Sequence, residues 1–134
     1  MTPVFVPLPI WRNADYAETW VIADSFDHRG TAADPQDLTG WAFALQVRAY
    51  GSPDGTPLLS LVPVTTAVQG VRVIEPAAGQ IEIRIDDASL ETLPKNTNQG
   101  EPIRLVYDLV ATDPTGLRRV YAFGDFIVQP GVTR

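Results

Sequence analysis

His28 is the only imidazole in the 134 residues, and it sits in Asp27-His28-Arg29-Gly30. A histidine beside an aspartate is half of a general-base arrangement, but base catalysis needs a nucleophile or an electrophile-binding group converging on it. None accompanies it along the chain, and the glycine-bounded turn reads as a solvated loop. Asp24, Asp27, Asp34 and Asp37 crowd one segment, and Asp86 and Asp87 adjoin another. Oxygen-rich loops hold calcium, yet these acids lack the regular ligand alternation of a calcium loop. They read as turn residues, and no metal or cofactor is expected. With no cysteine there is neither a thiol nucleophile nor a disulfide framework. Trp11, Trp20 and Trp41 raise the possibility of a sugar-stacking platform. Trp41 falls in register with Phe43 and Leu45, which makes it a core residue, and Trp20 reads the same way. Trp11, Tyr16, Tyr50 and Tyr121 remain as candidate ring platforms. Arg118 and Arg119 alternate across a strand and do not form one patch.

Sixteen acidic residues against ten basic ones give a formal charge of −6. Such a surface repels a phosphate backbone, so nucleic acid is not an expected partner. No run approaches the roughly 20 apolar residues needed to span a bilayer as a helix. The N-terminal run is broken by Pro3, Pro7 and Pro9 and has no positive leader, so neither a signal peptide nor a membrane partner is expected.

The elements left to position these residues are short β-patterned runs divided by turn chemistry. Residues 1–12 read as an extended, proline-rich arm, and 13–134 as one β-sandwich domain. In the arm Val4, Phe5, Val6, Leu8, Ile10 and Trp11 supply apolar surface, either for an edge strand on its own domain or for docking on a neighbour. Tyr16 to Asp24 alternates as a strand, followed by a polar loop to Asp37. Trp41, Phe43, Leu45, Val47 and Ala49 mark one face of the clearest strand. A turn follows at Gly51-Ser52-Pro53-Asp54-Gly55, then a strand from Leu58 to Val64. Val71–Glu75 and Gln80–Asp86 form a hairpin, with Ile81, Ile83 and Ile85 inward. Asp86 or Asp87 caps a short helix that ends before Pro94. Pro102–Thr112 puts Ile103, Leu105, Tyr107, Leu109 and Ala111 on a core face. It turns at Asp113-Pro114-Thr115-Gly116 into a last strand from Leu117 to Val128, with a bulge expected at Gly124. About eight strands and one short helix predict an all-β, immunoglobulin-like antiparallel sandwich.

Several of these segments, in this order, resemble a family of small tailed-bacteriophage and prophage virion proteins. The carriers are Asp37-Leu38-Thr39-Gly40-Trp41 before a strand ending Gln46-Val47-Arg48, and Ala78-Gly79 before Gln80-Ile81-Glu82-Ile83. Thr92-Leu93-Pro94, Val106-Tyr107-Asp108-Leu109, Asp113-Pro114-Thr115-Gly116 and the Pro130-Gly131-Val132-Thr133-Arg134 ending complete the set. The layout is similar to the N-terminal domain of baseplate upper proteins, which anchor receptor-binding fibres. The resemblance implies a non-enzymatic virion component made in the host cytoplasm. It would be an adaptor or attachment subunit of tail, baseplate or fibre, contacting other virion proteins and repeated as a homo-oligomer. Capsid decoration and a carbohydrate-binding host-recognition module are the alternatives. The segments expected to make contacts are Val4, Phe5, Val6, Leu8, Ile10 and Trp11 at one end, and Val128, Val132 and Arg134 at the other.

Overall fold

Alternation of apolar and polar residues over Ala42–Ala49, Gln80–Ile85 and Ile103–Thr112 forces each run to bury one face, and together they build the core. The computed structural model describes residues 3–22, 36–50 and 55–132. The strands are β1 (Val4–Phe5), β2 (Leu8–Trp11), β3 (Tyr16–Val21), β4 (Ala42–Ala49), β5 (Leu59–Leu61), β6 (Gly70–Glu75), β7 (Gln80–Ile85), β8 (Ile103–Thr112) and β9 (Arg118–Gln129). A 3₁₀ turn, Pro76–Ala78, joins β6 to β7, and α1 (Asp87–Glu91) follows β7.

One sheet has the order β1-β9-β8-β4-β5, with β2 also on β9; the other is β3-β7-β6. The order β9-β8-β4-β5 over β3-β7-β6 is the G-F-C-C′ over B-E-D arrangement of an immunoglobulin-like sandwich. Phe43, Leu45 and Val47 of β4, Leu105, Tyr107 and Leu109 of β8, and Ile81, Ile83 and Ile85 of β7 are all buried in a single core. The expected inward faces are therefore the observed ones, because a period of two leaves no choice once one face is buried.

Three expectations need correction. The sandwich is not wholly antiparallel, because β1 and β2 run parallel to β9, Val4 opposite Ala122 and Trp11 opposite Gln129. The register shift between β8 and β9 lies at Leu109/Val110, where Tyr121 is the extra residue, and not at Gly124. Gly124 serves another purpose: a Cβ there would lie 2.7 Å from the Val6 carbonyl oxygen, so its bare backbone lets the break between β1 and β2 approach β9. Finally, Asp86 occupies the N-cap position of α1 but its side chain makes no capping bond.

The two Asp-x-Thr-Gly turns are built alike. Asp37 Oδ1 accepts from the Thr39 N–H at 3.0 Å and its hydroxyl at 2.7 Å. Asp113 Oδ1 accepts from the Thr115 N–H at 2.9 Å, its hydroxyl at 2.6 Å and the Leu117 N–H at 3.0 Å. The turns abut at one end of the sandwich, where a Cβ on Gly40 would come within 3.1 Å of Pro114 Cγ.

Candidate interaction surface

The N-terminal strands carry the contact residues expected from sequence, and alternation divides them. Leu8 and Ile10 point inward and are buried, as is Val128 opposite Ile10 on β9. These three belong to the chain's own core, which removes them from the expected contact set: a side chain sealed inside its own domain has no face left for a partner. Val4 and Val6 are half-buried against the same core. Phe5, Trp11 and Val132 are 60%, 56% and 93% exposed, which makes them the members of that set open to a neighbour. Arg134 lies outside the described residues.

Phe5 does not stand alone. Its register partner on β9 is Phe123, itself 41% exposed, and the two rings meet edge to face at 5.7 Å between centroids and 74° between planes. A T-shaped pair presents both a ring face and a ring edge, which suits an aromatic or aliphatic neighbour. Trp11 lies further along the same border of the sheet, opposite Gln129. Beneath the break between β1 and β2, the buried Tyr107 donates its hydroxyl to the Val6 carbonyl at 2.5 Å. Burial pushes that phenol well above the ordinary tyrosine range, with the neighbouring Tyr16 adding to it. Its hydroxyl is a hydrogen-bonded strut under the aromatic border.

The connection from β2 to β3 holds an arrangement that the sequence reading missed. Arg12 is buried, and its guanidinium donates to the carbonyls of Leu90 and Leu93 at 2.8 Å and of Pro94 at 2.7 Å. Three residues on, Asp15 Oδ1 accepts the Asp87 N–H at 2.7 Å, at the start of α1. A carboxylate thus meets the amide end of the helical turn and a cation meets its carbonyl end, the polarity that both ends require. A signal for Arg12 was present: it continues the inward series of Leu8 and Ile10. Nothing in sequence linked Asp15 to a helix seventy residues away. Beside Arg12 lies a cleft of about 210 Å³ that also touches Lys95, Asn96, Asn98, Glu101 and Pro130. Its lining offers polar side chains but no nucleophile paired with a base.

The remaining candidates separate. Of the ring platforms, Tyr121 is buried and Tyr16 half-buried, whereas Tyr50 is exposed with the Arg104 guanidinium 3.9 Å over its ring. Tyr50 follows β4 and Trp11 ends β2, with β9 and β8 between those strands, so the two exposed rings form no joint platform. Trp41 is half-buried and stacked on Phe43 at 6.3 Å. His28, Asp24, Asp27 and Asp34 lie outside the described residues. Among the described residues no three histidine or acidic side chains gather as a metal site would require.

No protein-family model matches this chain, and no curated protein matches its sequence.

Proposed function

We propose that this protein is a non-enzymatic attachment subunit, a rigid β-sandwich that docks another protein of a multi-copy assembly through the Phe5–Phe123 border. The observation that carries this is the exposed, mutually packed aromatic pair on strands fixed by the core. Two large rings held in one geometry offer apolar contact without the entropy cost of ordering a loose segment. The virion station follows from the sequence resemblance to small tailed-phage proteins. Tail or baseplate comes first and capsid decoration second, since both demand a stiff module bound in many copies.

The reading is tested on phage particles purified from the strain that carries the gene. The chain should be present at a fixed copy number relative to the major structural proteins. A Phe5→Ser/Phe123→Ser variant, native-like by circular dichroism, should be lost from those particles. Absence of the native chain from the particles overturns the virion assignment, and full incorporation of the variant overturns the docking border.

A further inference from the structure

We infer that β3 is the contact between two copies of this chain, its edge away from β7 pairing antiparallel with β3 of a second copy in a register centred on Thr19.

The sheet edges differ in how they are guarded. An exposed edge displays unpaired N–H and C=O groups, and proteins blunt it with prolines, short strands or coverage. β5 is three residues long and followed by Pro63. β6 is covered by the segment through Pro63, where the Val71 N–H donates to Val62 and the Val64 N–H to Val71. The border of β1 and β2 carries Pro7 and Pro9, which have no N–H to offer. β3 has six residues without a proline or a lysine, and among the described residues no strand pairs with it except β7.

Geometry then selects the register. The Ile22 N–H donates to Gly79, so even-numbered residues of this strand direct their backbone groups toward β7. Ala17, Thr19 and Val21 therefore direct theirs outward, and all three are exposed. Centring a two-fold axis on Thr19 sets Ala17 opposite the partner's Val21 and Thr19 opposite the partner's Thr19, using every outward group of the strand. It also sets Glu18 opposite the partner's Trp20, leaving the two carboxylates apart. Centring on Glu18 places like charges face to face and leaves Val21 without a partner within β3, a worse arrangement on both counts. A threonine pair across the axis is itself a favourable cross-strand match. The seam beside β3 is open as well: clefts of about 190 Å³ and 310 Å³ flank it, one lined by Val4, Val6, Trp20 and Tyr121, the other by Pro9, Trp11 and Tyr16.

This contact is distinct from the aromatic border and does not depend on the virion assignment. The chain has no cysteine, so a single introduced thiol reports one distance. Paired residues in hydrogen-bonded register have Cα atoms about 5.5 Å apart, within disulfide reach. Ala17 and its counterpart would be four positions out of register, about 13 Å apart and out of reach. Under mild oxidation Thr19→Cys should give a covalent dimer and Ala17→Cys should not. Light scattering should show a native dimer that Thr19→Lys, with a charge facing its own copy, weakens roughly tenfold or more. A native chain that stays monomeric and leaves Thr19→Cys uncross-linked overturns the inference, as does equal cross-linking at both positions. A dimer that ignores Thr19→Lys but dissolves in Phe5→Ser/Phe123→Ser also overturns it, and moves the copy–copy contact to the aromatic border.

Discussion

Arg12 is a charge placed where the core would otherwise expect a hydrophobe, and the reason is the three carbonyls it meets. The Leu90 oxygen also accepts the Leu93 N–H, but Leu93 and Pro94 present theirs just past the end of α1, and buried acceptors left without donors are costly. Replacing Arg12 with Met should therefore destabilise the protein by about 3 kcal/mol or more in urea denaturation, despite the better match of apolarity. Arg12→Lys should recover only part, since one ammonium cannot reproduce a forked donor. Asp113 works at the surface in the opposite sense. The Thr115 hydroxyl and the neighbouring N–H groups hold its carboxyl below the usual carboxylate range. A folded pKa below the unfolded one gives stability that is present above about pH 4 and lost as pH falls through the depressed value. Native protein should hence exceed Asp113→Asn in denaturation midpoint at pH 7, with the gap closing on acidification below pH 4, measured by urea titration at several pH values.

At the scale of elements, the segment through residue 12 is the part that sequence patterning described least completely. Its prolines were legible as a sign of extended, edge-like structure, and that is where they lie. Its pairing was not legible, because the partner strand begins more than a hundred residues later and local pattern carries no information about it. The alternation of Leu8, Ile10 and Arg12 did encode which side faces the core. The interior runs of β4, β7 and β8 were readable almost residue by residue, since their period admits one buried face. The Asp15 contact with α1 was beyond sequence for the same reason as the strand pairing. It follows that Ile10→Ala should cost about 2–5 kcal/mol, as for a fully buried aliphatic side chain. Removing residues 3–12 should give a chain lacking the cooperative unfolding transition of the native protein in a thermal scan.

For the molecule as a whole, two kinds of surface stand apart from the core: an aromatic border over β1 and β9, and the edge of β3, with which no second strand pairs among the described residues. The first presents side chains and the second presents backbone, so they suit different neighbours and can be occupied together. A chain with both could sit between a copy of itself and an unlike protein, the position an adaptor requires. Thr19→Lys and Phe5→Ser/Phe123→Ser should then act additively when combined, since Thr19 lies on β3 and the aromatic pair on β1 and β9. Light scattering and particle incorporation, read side by side on the three variants, check that independence.

The parallel seating of β1 and β2 on β9 also governs timing. During synthesis Val4 must wait for Ala122, and Trp11 for Gln129, before that part of the sheet exists. Contacts so distant along the chain form slowly, because a long loop closes before they give any return. Until β9 has left the ribosome, Leu8 and Ile10 lack the strand they are buried beside, and the nascent chain is most vulnerable to aggregation then. The side chains of Arg12 and Asp15 reach no residue later than Pro94 in the helix clamp, so all of its partners are made before β9 is.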